Sequence, residues 1–109
     1  MAKTLLLVWS SPASADVEDE FNRWYDESHV PELRAAVPSI TVAHRYKLRP
    51  EPGQAPVGTR YLTAYELDED DVEAAVAAFN GALGSGRVSV TQTIDMTNQP
   101  PVIQWYQHL

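Results

Sequence analysis

The segment covering residues 21–33 holds the densest set of side chains that could do chemistry. Tyr25 and His29 are four positions apart, so a helix would align them along one ridge, and Asp26 lies one turn from His29. A histidine in the last turn of a helix and beside a carboxylate is favoured in its charged form, which predicts a His29 pKa near or above neutral. That pKa would suit a general acid or base. The spacing therefore predicts His29, Asp26 and Tyr25 as catalytic residues.

A structural role for the same histidine is the alternative. Pro31 cannot continue a helix smoothly, because it lacks an amide hydrogen and clashes with the preceding turn. His29 would then only close the helix by binding its last free carbonyl groups. Trp24, by contrast, shares a stripe with Val17 and Phe21, which predicts a core position.

Polar-tipped aromatic residues form a second candidate group on the predicted strands. His44 lies on the apolar side of its strand, beside Tyr46, and we expect that side to face a cavity between sheet and helices. The predicted substrate-binding residues are Trp9, His44, Tyr46, Tyr61 and Tyr65. The alternative is ordinary core packing. The opposite side of the strand is basic, and its Arg45 and Lys47 either hold an anionic substrate or balance an acidic surface.

Motifs for metals and cofactors are missing from the sequence. There is no cysteine, which excludes disulfides and thiolate sites, and the three histidines lack the spacing that sets two ligands on one helix face. The glycines of residues 81–86 follow a predicted helix and precede a predicted strand, the wrong order for cradling a phosphate. We therefore predict no metal and no cofactor.

Charge and hydropathy limit the partners. Fifteen acidic residues against eight basic ones give a net charge of −7, which argues against nucleic acid. The apolar run over residues 4–9 is too short for a signal peptide or a membrane span. The expectation is a cytoplasmic protein whose partner is a small hydrophobic molecule, with no membrane contact.

The pattern of apolar residues predicts the order β-α-β-β-α-β in one domain, residues 1–109. Strands are predicted at residues 3–10, 39–48, 60–67 and 88–96, with a long connection at 49–59. An extended aromatic tail at 102–106 is expected to pair at a sheet edge or on a second subunit. The first helix begins at Ser14 or Asp16, has a break or kink near His29, continues as a short helical piece from Pro31 and ends before Pro38. The second runs from a cap at Asp68 to Gly84, with an apolar stripe of Val72, Val76, Phe79 and Leu83.

This order predicts an α+β fold of the ferredoxin-like kind, an antiparallel sheet with two helices on one face. The other face of such a sheet needs cover in so small a chain, which predicts face-to-face pairing into a homodimer.

The motif WYDESHVPEL at residues 24–33 resembles the first-helix motif of EthD-like proteins. Residues 37–40, 45–46 and 60–67 are also similar to that group, and the resemblance extends through the second helix. The resemblance implies a dimeric α+β barrel with a small hydrophobic pocket in each subunit. Proteins of this superfamily include polyketide cyclases, isomerases, cofactor-free monooxygenases and haem-degrading enzymes, so the fold does not fix the function.

Three functions stay open at this point. The first is a cofactor-free cyclase, isomerase, lyase or monooxygenase-like enzyme that moves protons on a hydrophobic oxygenated ring or polyketide-like metabolite. The second is a non-catalytic small-molecule-binding or accessory protein of an oxidative degradation or biosynthesis pathway. The third is haem binding, which would need an axial ligand facing a roomy pocket.

Overall fold

The computed structural model describes residues 3–53 and 59–109, so the middle of the predicted 49–59 connection lies outside the described residues. The strands are β1 (Thr4–Ser10), β2 (Ile40–Lys47), β3 (Tyr61–Leu67) and β4 (Val102–Gln107), and the α-helices are α1 (Glu18–Trp24), α2 (Val30–Ala36) and α3 (Val72–Gly84). A short 3₁₀ turn, Ala15–Val17, precedes α1, and a π-helical turn, Tyr25–His29, joins α1 to α2.

The four strands form one antiparallel sheet in the order β2-β3-β1-β4. This order is that of the ferredoxin-like topology, and the predicted α+β class is confirmed. The prediction of a last strand at residues 88–96 is wrong, because β4 is instead the aromatic tail. Residues 88–96 make one isolated bridge, Pro12 to Ile94. The Asp95 carboxylate accepts the amide hydrogens of the next residues, which turns the chain away from extended structure.

The main core lies between one face of the sheet and the helices. Strand β3 alternates strictly, with Tyr61, Thr63, Tyr65 and Leu67 buried on the helix side. Leu6 of β1, Leu33 of α2 and Phe79 of α3 join Tyr65 and Leu67 in this core. Burial of these apolar side chains is the main force that holds the helices on this face.

We call the other side of the sheet the open face. The strand register arranges its side chains in three rows across all four strands. The rows are Tyr46, Leu62, Trp9 and Val102; His44, Ala64, Leu7 and Gln104; and Val42, Glu66, Leu5 and Tyr106. All twelve side chains are half-buried or exposed, and most are apolar.

A β-bulge at the start of β2 decides which side chains face the helices. The register shifts between Ile40 and Val42, so Thr41 is the extra residue. Ile40 is buried on the helix side, but after the bulge Arg45 takes that side and His44 the open face. The expectation that His44 projects between sheet and helices is therefore wrong, because simple alternation from Ile40 does not count the extra residue.

The predicted break or kink near His29 takes the form of a π turn at Tyr25–His29, and the chain stays helical through it. The wider π turn carries the chain into α2, where Pro31 occupies the first turn, a position that needs no amide hydrogen. The segment ends at Ala36, before Pro38 as predicted.

Two details of α3 differ from prediction. Its N-cap is Asp71, whose side chain accepts the Glu73 amide hydrogen, while the predicted cap Asp68 pairs with Lys3 at 3.2 Å. The helix ends at Gly84 as predicted, but it buries Ala75, Phe79 and Ala82. Leu83 of the predicted stripe is exposed instead, because the small alanine side chains allow α3 to approach the sheet closely.

Candidate active site

The π turn holds all three residues predicted to be catalytic, Tyr25, Asp26 and His29. Such turns are rare and frequently lie at functional sites, because the extra residue re-aims the side chains around it. Here the turn points the three side chains to three different environments.

His29 stacks on the indole of Trp24, with ring centroids 4.4 Å apart and an angle of 23° between the planes. The ring of Tyr25 meets it edge-on at 5.2 Å. Burial lowers the pKa of His29 to about 4, against an opposing effect of the Glu32 carboxylate. The expected pKa near or above neutral is therefore wrong, and His29 is neutral at physiological pH. Its Nδ1 is buried and has no hydrogen-bond partner among residues 3–53 and 59–109.

Beside His29 is a cavity of about 370 Å³. It is lined by Trp24 and His29 of the helical segment, Leu83 of α3, and Val88, Ser89, Val90, Thr91, Ile94 and Met96 of the following segment. The lining is mostly apolar, as small-molecule sites usually are. Trp24 Nε1 is a second buried polar atom without a partner in the described part of the chain. Trp24 also packs on the cluster of Phe21, Tyr25 and Tyr61, so it is both partial core and cavity wall.

The cavity wall is fastened to α2 by one carboxylate. Glu32 accepts hydrogen bonds from the Ser89 amide at 2.8 Å and from the Ser89 hydroxyl at 2.9 Å. These two bonds lower the pKa of Glu32, since they favour its charged form. Sequence reasoning missed this wall, because the β-branched residues of 88–96 suggested a strand.

Tyr25 turns its hydroxyl away from the cavity, toward β1. The hydroxyl shares a buried hydrogen bond of 2.9 Å with Ser10. Burial raises the pKa of Tyr25, so it stays a neutral phenol. Its contact with His29 is through the ring edge, which positions the imidazole without exchanging a proton with it.

Asp26 pairs with Arg45 of β2 rather than with His29. The Arg45 guanidinium donates to Asp26 at 3.2 Å and to Asn22 at 3.0 Å. It also lies over the rings of Tyr25 at 4.4 Å and Tyr61 at 5.1 Å, a favourable cation–π arrangement. The predicted role of Asp26 in setting the charge of His29 has no contact to support it among the described residues.

Tyr61 belongs to a neighbouring polar network. Its hydroxyl donates to Glu18 at 2.5 Å and accepts from Asn22 at 3.0 Å, and Lys47 also pairs with Glu18 at 3.1 Å. The Tyr61 and Lys47 contacts hold the pKa of Glu18 below its usual value. A cleft of about 500 Å³ opens over this network.

The other predicted substrate-binding residues lie elsewhere. Tyr65 is part of the main core, where burial raises its pKa, and Trp9, His44 and Tyr46 stand on the open face. The structure therefore brings His29 and Trp24 together at the cavity described above, which none of the five predicted substrate-binding residues lines. Three of the five, Trp9, Tyr46 and Tyr61, line a separate pocket of about 460 Å³.

Two further observations concern metals and membranes. Within residues 3–53 and 59–109, no three His, Asp or Glu side chains converge in a way that could bind a metal ion. Among the same residues, no helix has the length and apolar character needed to span a membrane.

The fold and the cavity together define a small α+β protein with ferredoxin-like topology and a histidine at the wall of an apolar site. Similar solved structures carry the same fold across nearly the whole chain. An EthD-like protein from Ralstonia eutropha JMP134 has a TM-score of 0.60 at 18% identity, covering 98% of this chain and 93% of that one. An ethyl tert-butyl ether D (EthD) family protein from Bacillus halodurans C-125 has a TM-score of 0.56 at 12% identity, covering 97% and 99%.

HapK from Hahella chejuensis is a third similar structure, with a TM-score of 0.57 at 11% identity, covering 97% of this chain and 92% of HapK. No family model matches the sequence, and no curated protein matches it either. The resemblance to EthD-like proteins is thus confirmed in the fold. At these identities it is the fold alone that is shared.

Proposed function

We propose that this chain is a small cofactor-independent enzyme that moves a proton on a hydrophobic, oxygen-bearing molecule. The observation that carries the proposal is the neutral His29 at the wall of an apolar cavity. A neutral imidazole has a free lone pair, so it can take a proton from an acidic carbon or hydroxyl group of a bound molecule. A correctly placed general base contributes about 10²–10⁴-fold to a rate.

The surroundings of His29 support this role. The Trp24 indole and the Tyr25 ring fix the orientation of the imidazole from two sides. Once His29 has taken a proton, the positive imidazolium is stabilised by the Glu32 carboxylate, whose charge favours that form. The apolar lining offers a hydrophobic surface for a ring compound, although Val90 and Met96 on its outer side are exposed to solvent.

A proton-exchange assay tests the proposal without knowledge of the natural substrate. The probe is 2-tetralone, an apolar ring ketone, and the measurement is deuterium uptake at its α-carbon in D₂O, followed by NMR. We expect the parent protein to accelerate uptake and His29→Asn to lose about 10²-fold or more of that acceleration. The matched control is His108→Asn, because His108 is exposed near the end of the chain and lines no part of the His29 cavity. Equal uptake with the parent and with a folded His29→Asn variant would contradict the role of His29.

A non-catalytic binding protein is the second candidate, and one observation favours it. A pKa of about 4 makes His29 a weak base at neutral pH, since general bases work best with a pKa near the working pH. Binding of 2-tetralone, seen as a change in tryptophan fluorescence, without acceleration of deuterium uptake would support this alternative.

We also propose that the chain forms a homodimer through the open face. Several large apolar side chains on this face are strongly exposed, among them Tyr46 at 54%, Tyr106 at 47% and Val102 at 43%. Contiguous apolar surface of this kind marks an interaction site in small proteins. In such a dimer, Trp9, His44 and Tyr46 would contact the second copy rather than a substrate.

A further inference from the structure

We propose that Glu32 makes the His29 cavity selective for uncharged ligands, so that the substrate binds as a neutral ketone, enol or phenol rather than as a carboxylate or phenolate. This inference rests on the proposed function, because it concerns the same cavity. It follows from three observations on the charges and donors around that cavity.

The first observation is that no cation lines the cavity among the described residues. Its wall consists of apolar side chains, the indole of Trp24, the neutral His29 and the hydroxyl-bearing Ser89 and Thr91. A carboxylate moved from water into this environment would lose its hydration without gaining an opposite charge. A neutral ring compound has no such cost.

The second observation is that the donors of Ser89 are already used. An anion in an apolar site can be stabilised by backbone amide and hydroxyl groups, and Ser89 offers both at the cavity wall. Glu32 accepts from both of them, at 2.8 Å and 2.9 Å. Both Ser89 donors are therefore occupied, and the Glu32 carboxylate beside the cavity wall repels a second negative charge nearby.

The third observation is that nearby basic side chains are engaged away from the cavity. Arg45 is held by Asp26 and Asn22, and Lys47 is held by Glu18. Arg60 donates to the Ser11 hydroxyl and to the Gln99 carbonyl. Arg87, which directly precedes the wall residue Val88, donates from Nε to the Ser85 hydroxyl at 3.3 Å. None of these four cations belongs to the described cavity wall. The charge distribution thus disfavours anions in the cavity, while neutral molecules are unaffected.

The test compares two probes of one shape, 2-naphthol and 2-naphthoate, by calorimetric titration at pH 7, where the first is neutral and the second is an anion. For the parent protein we expect 2-naphthol to bind at least tenfold more tightly. Glu32→Gln should strengthen 2-naphthoate binding about tenfold, because it removes the charge and keeps an oxygen acceptor for Ser89.

Two control variants separate the charge of Glu32 from its other effects. Ser89→Ala breaks the hydroxyl hydrogen bond but keeps the Glu32 charge, so it should leave the preference for 2-naphthol in place. Glu73→Gln removes one negative charge from the exposed start of α3 and should not change 2-naphthoate affinity. This variant controls for the effect of reducing the magnitude of the net charge of −7 by one unit. In the parent protein, higher salt should reduce the difference in affinity between the two probes, because salt screens the charge of Glu32. This measurement does not depend on the folding of any variant.

The selectivity role of Glu32 would be overturned if the parent bound both probes with equal affinity. It would also be overturned if Glu32→Gln and Glu73→Gln changed 2-naphthoate affinity equally. Either result would leave the proposed function standing. Failure of both probes to bind at the cavity would overturn this inference and the proposed function together.

Discussion

Ser10 and Tyr25 share a buried hydrogen bond of 2.9 Å that fastens the π turn to the end of β1. The bond crosses from the helical layer to the sheet, and it sets the ring of Tyr25 against His29. The position of His29 at the cavity therefore depends on a contact that lies on the far side of the Tyr25 ring.

Removing this hydrogen bond should destabilise the protein. Tyr25→Phe leaves the buried Ser10 hydroxyl without its partner, and we expect the free energy of unfolding to fall by about 1–2 kcal/mol. Urea denaturation followed by circular dichroism measures the change. Ser10→Ala and the double variant complete a thermodynamic cycle, and strictly additive losses would show that the two hydroxyls are not coupled.

The low pKa of His29 predicts a specific dependence of stability on pH. Between pH 6.5 and about 4 the unfolded chain binds a proton at His29 and the folded chain does not, so stability falls as the pH falls through this range. At about 1.36 kcal/mol per pKa unit, the loss should reach about 3 kcal/mol. Urea denaturation at several pH values should show a flatter profile for His29→Gln than for the parent.

A control is needed because some carboxylates also make the stability of the protein depend on pH, in a lower pH range. Glu18, Glu32 and Asp95 have lowered pKa values, so their stabilising effect is present above their usual range and is lost as the pH falls through it. Glu18 and Asp95 have no coupling to His29, so the difference between the two profiles reports His29 together with its interaction with Glu32. Identical slopes between pH 6.5 and 4.5 would mean that His29 is not buried as described.

Dimerisation should depend on the centre of the open face. Leu7 lies in its middle row, and Leu7→Glu would place a charge in the proposed interface. Light scattering should report about twice the 12.1 kDa chain mass for the parent and the single-chain mass for the variant. Ala78→Glu, on the exposed side of α3, is the matched control and should leave the dimer intact. A compact parent monomer at micromolar concentration would rule out the dimer.

Trp24 should contribute to stability and to the cavity at once. Because it is only half-buried, Trp24→Ala should cost about 2–3 kcal/mol, less than the roughly 3–5 kcal/mol of a fully buried aromatic residue. The same variant removes the stacking partner of His29 and should weaken 2-tetralone binding. A melting temperature within a degree of the parent would show that Trp24 contributes no packing.

The sequence predicts the main elements of this fold because their apolar periods are regular. Strand β3 alternates without interruption, and its buried residues are those that period-two reasoning selects. The sequence pattern likewise predicts the helix around Phe21 and the end of α3 at Gly84. The misassigned strand at residues 88–96 has β-branched residues, but its Ser89 is bound by Glu32 of α2, a contact that depends on tertiary structure.

The candidate site was predictable only in part. His29 can be selected by its residue type and its place before Pro31, but its pKa follows from burial against Trp24, which no local pattern reveals. The Asp26 side chain was expected at His29 from spacing alone. The guanidinium of Arg45, from β2, instead donates to Asp26 at 3.2 Å, a partner that spacing within the helix does not reveal.

The bulge at Thr41 determines which set of alternating β2 residues faces the helices and which set lies on the open face. The residues of β2 alternate in type, so deletion of Thr41 would exchange the two sides of the strand beyond that point. Arg45 would leave the aromatic rings of Tyr25 and Tyr61 for the open face, and His44 would enter the protein interior in its place. One inserted residue thus determines whether a cation or an imidazole lies beneath the first helix, and a change in the length of this strand alone would give relatives of similar sequence a different interior chemistry.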